Sequence, residues 1–240
     1  MSDSYDYRQA EGIPEVAIRI ALLERRLAAQ LPAGRILEVG VGAGDVTLML
    51  SRAFLRPGHG TLTCVDASAE NVALTRSRLK AAGLPEPAFQ VATIEAAKLD
   101  GVFDHLVLLG LLEHLADPVA VLRRLAGFLA PGGRLHVVVN LASSIHRWLG
   151  VEMGQIPDVE ALSESDHRLG HYRVYTLPLL REHLVQGGFR ILEEDPFYLK
   201  PLPTSMLNQL PMELHQGLES LGRRFPEFAS YVRLEADCPQ

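Results

Sequence analysis

Short runs of apolar residues alternate along most of the chain with longer segments whose apolar positions recur at helical spacing. The first such segment places Val16, Ile20, Leu23 and Leu27 on one face, which is typical of an amphipathic helix. Continuous apolar runs bounded by glycine or proline are typical of strands that are buried on both faces of a sheet. Six runs predict six strands, which read in order "RILEVG", "TLTCVDA", "AFQVATI", "FDHLVLLG", "GGRLHVVVN" and "FRILEED". Their alternation with helices predicts an α/β fold with a mostly parallel, Rossmann-like sheet.

Segments outside this alternation divide the chain further. We expect one domain over residues 1–240, with a helical cap over 1–31 and the ligand-binding sheet core over 35–140. Residues 141–176 form an insert rich in Ser, His, Asp and Gly. The tail, 201–240, carries five prolines and runs such as "MELHQGLESLGRRF", which predict helices. The insert and the tail together are expected to form a lid over the core.

Composition narrows the classes of protein that fit. Hydrophobic residues make up 48% of the chain, which is enough for a large core, and the formal net charge of -6 disfavours a nucleic-acid partner. The two cysteines, Cys64 and Cys238, predict neither a disulfide framework nor a metal site. The start "MSDSYDYRQAEG" does not resemble a signal peptide, and the apolar run near Leu106–Leu112 is too short to span a bilayer. A cytoplasmic protein without membrane insertion or a bound metal is therefore expected.

A glycine-rich loop follows the first predicted strand, where an open α/β sheet binds ligands. Gly40, Gly42 and Gly44 differ in spacing from the G-x-G-x-x-G loop that holds a dinucleotide pyrophosphate, because Asp45 occupies the place of the third glycine. Asp45 and the strand residue Glu38 would repel phosphates. Two carboxylates beside the loop favour a ligand that carries positive charge instead.

The second predicted strand ends at Asp66, where a carboxylate can accept hydrogen bonds from both hydroxyls of a ribose. The loop and Asp66 together predict a nucleoside ligand that lacks phosphates and has a cationic part near Glu38. A nicotinamide dinucleotide bound by an oxidoreductase is the competing hypothesis, which Glu38, Asp45 and the missing third glycine disfavour.

The motifs "LEVGVGAG", the strand-ending Asp66, "FDHLVLLGLLEHLADP" and "LAPGGRLHVVV" resemble the successive motifs of class I S-adenosylmethionine-dependent methyltransferases. The resemblance implies S-adenosyl-L-methionine as cofactor, S-adenosyl-L-homocysteine as product, and a seven-stranded sheet with helices on both faces and an antiparallel last strand. On this basis a seventh strand is expected around 197–200. No metal is expected.

The resemblance also implies a role for individual residues. Glu38, Gly40 and Gly42 would line the methionine part of the cofactor, and Asp66 would hold the ribose. The adenine and sulfonium contacts would fall on Ala67, Thr93, Ile94, Gly110 and Leu111. Thr93 replaces an acidic residue that many relatives have at this position, so its contact to the adenine amino group is the least secure of the set.

Histidines occur at three places on the side expected to bind the methyl acceptor. Two of these histidines, His114 and His171, are candidate general bases. His114 follows the fourth strand and could equally cap or pack the next helix. In the insert, His167 and Tyr172 are candidate substrate contacts beside His171, and a solvated loop is the alternative. His146 and Arg147, in "SSIHRW", are further candidate substrate contacts. Tyr5 and Tyr7 could close over the cofactor.

The function expected is transfer of a methyl group to a small-molecule acceptor, with no nucleic-acid substrate. A hydroxyl oxygen is favoured, because "HRLGHYRVYT" and "LKPLP" are similar to segments of bacterial methyltransferases of polysaccharide and natural-product pathways. N-methylation and a non-catalytic protein of the same fold remain alternatives. Apolar residues of the tail could form a pocket wall or the contact of a homodimer.

Overall fold

A computed structural model describes residues 14–30, 34–55 and 60–239. They form a seven-stranded sheet in the order β3-β2-β1-β4-β5-β7-β6, in which β7 runs antiparallel to both of its neighbours. The other neighbouring pairs, β1–β2, β2–β3, β1–β4 and β4–β5, are parallel. The seven-stranded, mostly parallel sheet that the sequence predicted is confirmed.

The first six strands, β1 to β6, lie where the six apolar runs predicted them. The strands are β1 (Gly34–Val39), β2 (Gly60–Asp66), β3 (Ala88–Val91), β4 (Phe103–Leu109), β5 (Leu129–Asn140), β6 (Arg190–Phe197) and β7 (Tyr231–Asp237). The helices are α1 (Pro14–Gln30), α2 (Asp45–Phe54), α3 (Ala69–Ala81), α4 (Pro118–Ala126), α5 (Ile145–Glu152), α6 (Glu164–Leu169), α7 (Leu177–Gln186), α8 (Thr204–Leu207) and α9 (Met212–Arg224).

Helices cover both faces of the sheet because successive strand residues point to opposite faces. In β4, Leu106 and Leu108 pack into one cluster with apolar residues of α4 and α7, whereas Val107 packs into a second cluster with residues of α1, α2 and α3. A third, smaller cluster joins Ile18 of α1 to Leu207 of α8. Because β1 to β5 run parallel, their carboxyl ends lie on the same side of the sheet.

The seventh strand is not at 197–200, where it was expected. Phe197 is the last residue of β6, and Tyr198 then takes a φ of 61°, which ends the extended backbone. The seventh strand is formed by "YVRLEAD", so the tail contains α8 and α9 but ends as a central strand rather than as part of a helical lid. Its charged residues concealed it, since Arg233 and Glu235 are buried and ion-paired on one face of the sheet.

The segment expected to be an N-terminal cap forms α1 over the residues described there, and its role as a cap stays a prediction. The hypothesis about Tyr5 and Tyr7 concerns positions outside the described residues. In the described ranges, none of the helices has both the length and the apolar character needed to cross a membrane.

Candidate active site

A cleft of about 1050 Å³ opens at the carboxyl ends of β1, β2 and β4. It extends from the glycine loop to the insert between β5 and β6, so it brings together most of the residues predicted from sequence. Those that line it are Gly40, Gly42, Asp66, Ala67, Thr93, Ile94, Gly110, Leu111, His114, His146, Arg147, His171 and Tyr172. Among the predicted residues that the structure describes, Glu38 and His167 do not line the cleft.

The glycine loop takes a backbone path that side chains would obstruct. Gly40, Gly42 and Gly44 have φ values of 81°, 51° and 89°, in the region that favours glycine. A Cβ on Gly44 would lie 2.7 Å from Oγ1 of Thr75 in α3, and a Cβ on Gly40 would lie 3.0 Å from Leu111. The loop is therefore pressed between α3 and the residues that follow β4.

Asp66 holds this loop through its carboxylate. Oδ2 accepts hydrogen bonds from the backbone N–H of Val41 at 2.8 Å and of Gly42 at 3.3 Å. Oδ1 accepts from the backbone N–H of Ser68 at 2.8 Å and from Nδ2 of Asn71 at 3.3 Å. Asp66 lines the cleft and also connects the end of β2 to the loop after β1 by hydrogen bonds. The sequence did not predict this structural role.

The predicted contact of Glu38 with the cofactor needs correction. Its side chain lies behind the loop, 1% exposed, where its Oε2 accepts hydrogen bonds from Thr47 Oγ1 at 2.7 Å and from Cys64 Sγ at 3.3 Å. The strand alternation explains this position, because it turns Glu38 towards α2 and β2. Burial raises the pKa of Glu38 from 4.5 to about 7, with hydrogen bonds from Thr47 and Cys64 opposing the rise.

The end of β3 lies beside the end of β2, since the backbone N–H of Ala92 donates to the carbonyl of Asp66 at 2.9 Å. Consequently Thr93 is exposed in the same cleft as Ala67, whereas Ile94 is buried. On the other side of the loop, Gly110 has a φ of 58° and begins the turn after β4. The predicted adenine and sulfonium contacts thus share one cleft.

The insert is fastened to the turn that follows β4. The Arg173 guanidinium donates to the carbonyls of Leu112 and Ala116, each at 3.0 Å. The backbone N–H of Tyr172 donates to the Glu113 carbonyl at 2.8 Å. These bonds hold the insert, and with it His171, against the same strand end that carries His114.

His171 is oriented by a buried carboxylate. Its Nδ1 lies 3.0 Å from Asp166 Oδ1, and Asp166 Oδ2 accepts from Arg147 at 3.1 Å and from the Ser163 hydroxyl at 2.6 Å. Burial raises the pKa of Asp166, but the hydrogen bonds from His171 and Ser163 and the charge of Arg147 outweigh burial and hold it well below its usual range. An ionised carboxylate only accepts hydrogen bonds, so Nδ1 of His171 carries a proton, and in the neutral imidazole Nε2 is then the acceptor.

His114 lies edge-to-face against His171, with 4.6 Å between the ring centroids. Desolvation and the charge of His171 lower the pKa of His114 to about 4, against the effect of a hydrogen bond to the Leu169 backbone. His114 is therefore neutral at neutral pH, and we interpret its ring as support for the insert.

Arg147 and His167 differ from their predicted roles as substrate contacts. Arg147 is buried, and its guanidinium donates to Asp166 and to the backbone carbonyls of Val159 and Ala161. His167 is exposed, because the short helix α6 turns its neighbour Asp166 inward. Arg147 thus lines the cleft with its guanidinium already bonded to other protein groups, and His167 does not line the cleft.

Sequence reasoning missed several polar groups in the cleft wall, among them Asp166, Glu113 and Arg19. Asp166 had a readable signal, since Ser163 and Asp166 form a capping box at the start of α6. Glu113 is buried, and burial raises the pKa of its carboxyl, with the charges of His171 and Arg19 opposing the rise. Within the described ranges, no group of three or more His, Cys, Asp or Glu residues is arranged to hold a metal ion.

Comparison with known proteins identifies the class of domain that carries this cleft. Residues 37–135 match the family model of the methyltransferase domain, a range that runs from β1 into β5. The match covers less than half of the chain, which is similar to a methyltransferase domain over this range, and the sheet has the class I fold that the motifs predicted.

Similar proteins extend the comparison beyond that range. A ubiquinone biosynthesis O-methyltransferase of Xanthomonas campestris is 34% identical over 120 residues, which cover 49% of this chain and 47% of the relative. The chain spans between a third and about half of the length of the curated relatives that it matches.

Two solved structures share the whole fold. The N-methyltransferase NodS from Bradyrhizobium japonicum, in complex with S-adenosyl-L-homocysteine, superposes with a TM-score of 0.62 at 16% identity over 97% of this chain and 91% of that chain. The [4+2]-cyclase SpnF superposes with a TM-score of 0.63 at 20% identity over 93% of this chain and 81% of that chain. These similarities establish the fold, and the chemistry has to be argued from the site.

Proposed function

We propose that the protein is an S-adenosylmethionine-dependent methyltransferase that methylates a hydroxyl oxygen of a small molecule. The observation that carries the proposal is the single cleft that joins the glycine loop and Asp66 at one end to the Asp166–His171 pair at the other. The O-methyltransferase name of the Xanthomonas relative is consistent with it.

The residues at the loop end fit a nucleoside cofactor of this kind. Gly40 and Gly42 would allow close approach of its methionine part, and Asp66 would accept from the ribose hydroxyls while it holds the loop. Ala67 and Thr93, both exposed in the cleft, would flank the adenine. When bound, the cofactor supplies a methyl group already activated by a sulfonium.

The residues at the insert end fit the proton chemistry of a hydroxyl acceptor. A hydroxyl must lose its proton as it attacks, and Nε2 of a neutral His171 would take it. Asp166 keeps Nδ1 protonated and faces the imidazolium that forms, while Arg147 and Ser163 keep Asp166 in place. A neutral amine attacks through its free lone pair and loses a proton only afterwards, so the oriented pair favours oxygen over nitrogen as the methylated atom.

Binding and transfer measurements test the proposal together. Isothermal titration calorimetry should detect S-adenosyl-L-homocysteine binding, and labelled methyl groups from S-adenosyl-L-methionine should appear on members of a panel of small hydroxyl compounds. His171→Gln should reduce transfer by about a hundredfold, whereas the exposed His167→Gln should not. Binding without transfer to any hydroxyl or amine would favour a non-catalytic protein of this fold, and absence of binding would refute the proposal.

A further inference from the structure

His146 lies at the insert end of the cleft and is held by a chain of hydroxyl groups. Its Nδ1 lies 2.6 Å from Ser144 Oγ, which lies 2.6 Å from Ser230 Oγ. The backbone N–H of Lys200 donates to Ser230 Oγ at 3.0 Å. Ser144 and Ser230 are almost fully buried, so we expect each hydroxyl proton to have an acceptor among the protein groups.

The direction of the chain follows from counting protons. Lys200 N–H can only donate, so Ser230 Oγ accepts there and has its own proton to give to Ser144. Ser144 then gives its proton to His146 Nδ1. The reverse direction would leave the Ser230 hydroxyl proton without an acceptor in the described part of the chain, at the cost of a buried unsatisfied donor.

A neutral imidazole that accepts at Nδ1 carries its proton on Nε2. Burial and the charges of Lys200 and Arg147 together lower the pKa of His146 to about 3, against the opposing charge of Asp166. His146 is therefore neutral at neutral pH and has an N–H donor at Nε2, the opposite of the neutral form of His171, whose Nε2 is an acceptor. The two histidines give the insert end of the cleft a donor and an acceptor.

We infer that the His146 end of the cleft binds a carboxylate oxygen of the methyl acceptor, so that the acceptor is a hydroxy acid. The inference rests on the proposed function. Two cations that line the cleft favour a negatively charged ligand group over a neutral one. The charge of Lys200 lowers the pKa of His146. The guanidinium of Arg19 lies 4.8 Å from the centroid of the Tyr231 ring. The nearby Asp166 carboxylate is already paired with Arg147.

Nitrogen-15 NMR of the full chain labelled at histidine tests the hydrogen-bond direction without any acceptor. We expect His146 protonated at Nε2 and His171 at Nδ1, with His146→Phe used to assign the signal. Ser230→Ala should perturb the His146 signals. Ser143→Ala should leave the His146 signals unchanged, because Ser143 Oγ donates to the Ala229 carbonyl and takes no part in the hydrogen bonds from Ser230 to His146. A His146 that is protonated at Nδ1 would overturn the inference.

Binding of small acids tests the ligand class. In the presence of saturating S-adenosyl-L-homocysteine, at least one of 2-, 3- and 4-hydroxybenzoate should bind about tenfold or more tightly than phenol, because a charged hydrogen-bond acceptor is added. His146→Phe should abolish that advantage and His167→Phe should retain it. Equal binding of phenol, or no binding of any hydroxybenzoate, would overturn the inference. Failure of S-adenosyl-L-homocysteine itself to bind would instead refute the proposed function, while the NMR result would still decide the donor direction.

Discussion

Asp166 accepts a hydrogen bond from Nδ1 of His171 over 3.0 Å, and this fixes which ring nitrogen faces the acceptor. Asp166→Asn keeps the shape of the side chain but places an amide that can donate to Nδ1, which favours the wrong tautomer. We expect the kcat of methyl transfer to fall by about a hundredfold with little change in KM. Steady-state kinetics with the best acceptor and the nitrogen-15 spectrum of His171 measure both effects.

The control for this change is Asp158→Asn, in the same insert. Asp158 Oδ1 accepts from the backbone N–H of Glu160 and of Ala161 at 2.8 Å, so the control also removes a carboxylate that orders a turn. If Asp166→Asn and Asp158→Asn had the same activity and the same His171 spectrum, Asp166 would have no positioning role.

Asp66 is expected to control cofactor affinity through the glycine loop. Asn at this position has only one acceptor oxygen. Its NH2 group, which is a donor, would therefore face backbone N–H donors either at Val41 and Gly42 or at Ser68. We expect Asp66→Asn to weaken S-adenosyl-L-homocysteine binding by about tenfold or more, measured by calorimetry.

Asp104→Asn is the matched control for Asp66. Asp104 Oδ2 also accepts a backbone N–H, that of Arg35 at 2.7 Å, but near the opposite end of the sheet. Unchanged affinity in Asp66→Asn, or an equal loss in Asp104→Asn, would remove Asp66 from the cofactor site.

The elements that the sequence predicted correctly are those whose burial follows the local pattern. The central residues of β1, β2, β4 and β5 are mostly apolar and buried, and the glycines of the loop after β1 can be recognised in the sequence. β7 was missed because the partners of Arg233, which include Glu193 of β6, come from elsewhere in the chain. Local patterns cannot reveal ion pairs that form only after the sheet has assembled.

In the candidate site too, residues placed by the local sequence were predicted, and residues placed by distant contacts were not. Asp66 was predicted because it ends a strand, and its position depends on the sheet alone. Glu38 was assigned to the cofactor because it is close in sequence to the loop, but the strand turns it away. Asp166 and the direction of the His146 chain depend on contacts between the insert and distant segments, which no spacing rule gives.

Glu38 should make stability depend on pH. A carboxyl whose pKa is raised from 4.5 to about 7 on folding binds a proton more tightly in the folded state. Its contribution is therefore greatest below pH 4.5 and is lost as the pH rises to about 7, by about 3 kcal/mol in all. Glu38→Gln resembles the protonated form and should lack this loss.

Denaturant unfolding of both proteins between pH 5 and pH 8 measures the difference. The free energy of unfolding of the unmodified protein should fall relative to that of Glu38→Gln as the pH rises. Glu86→Gln serves as control, since Glu86 is an exposed carboxylate that is paired with Arg76 at 2.8 Å. A constant difference between Glu38→Gln and the unmodified protein at every pH would mean that Glu38 is ionised in the folded state throughout.

Gly222 lets α9 lie directly on the backbone of Tyr198, two residues before Lys200. A Cβ on Gly222 would lie 2.2 Å from Tyr198 N, and Tyr198 is fully buried with a φ of 61°, so its backbone has no room to move. We expect Gly222→Ala to lower the free energy of unfolding by about 3 kcal/mol. Gly217→Ala, in the same helix with nothing within 4 Å of its Cβ, should instead gain up to about 1 kcal/mol from helix propensity. Equal stabilities of the two variants in denaturant unfolding would show that α9 does not pack on Tyr198 in this way.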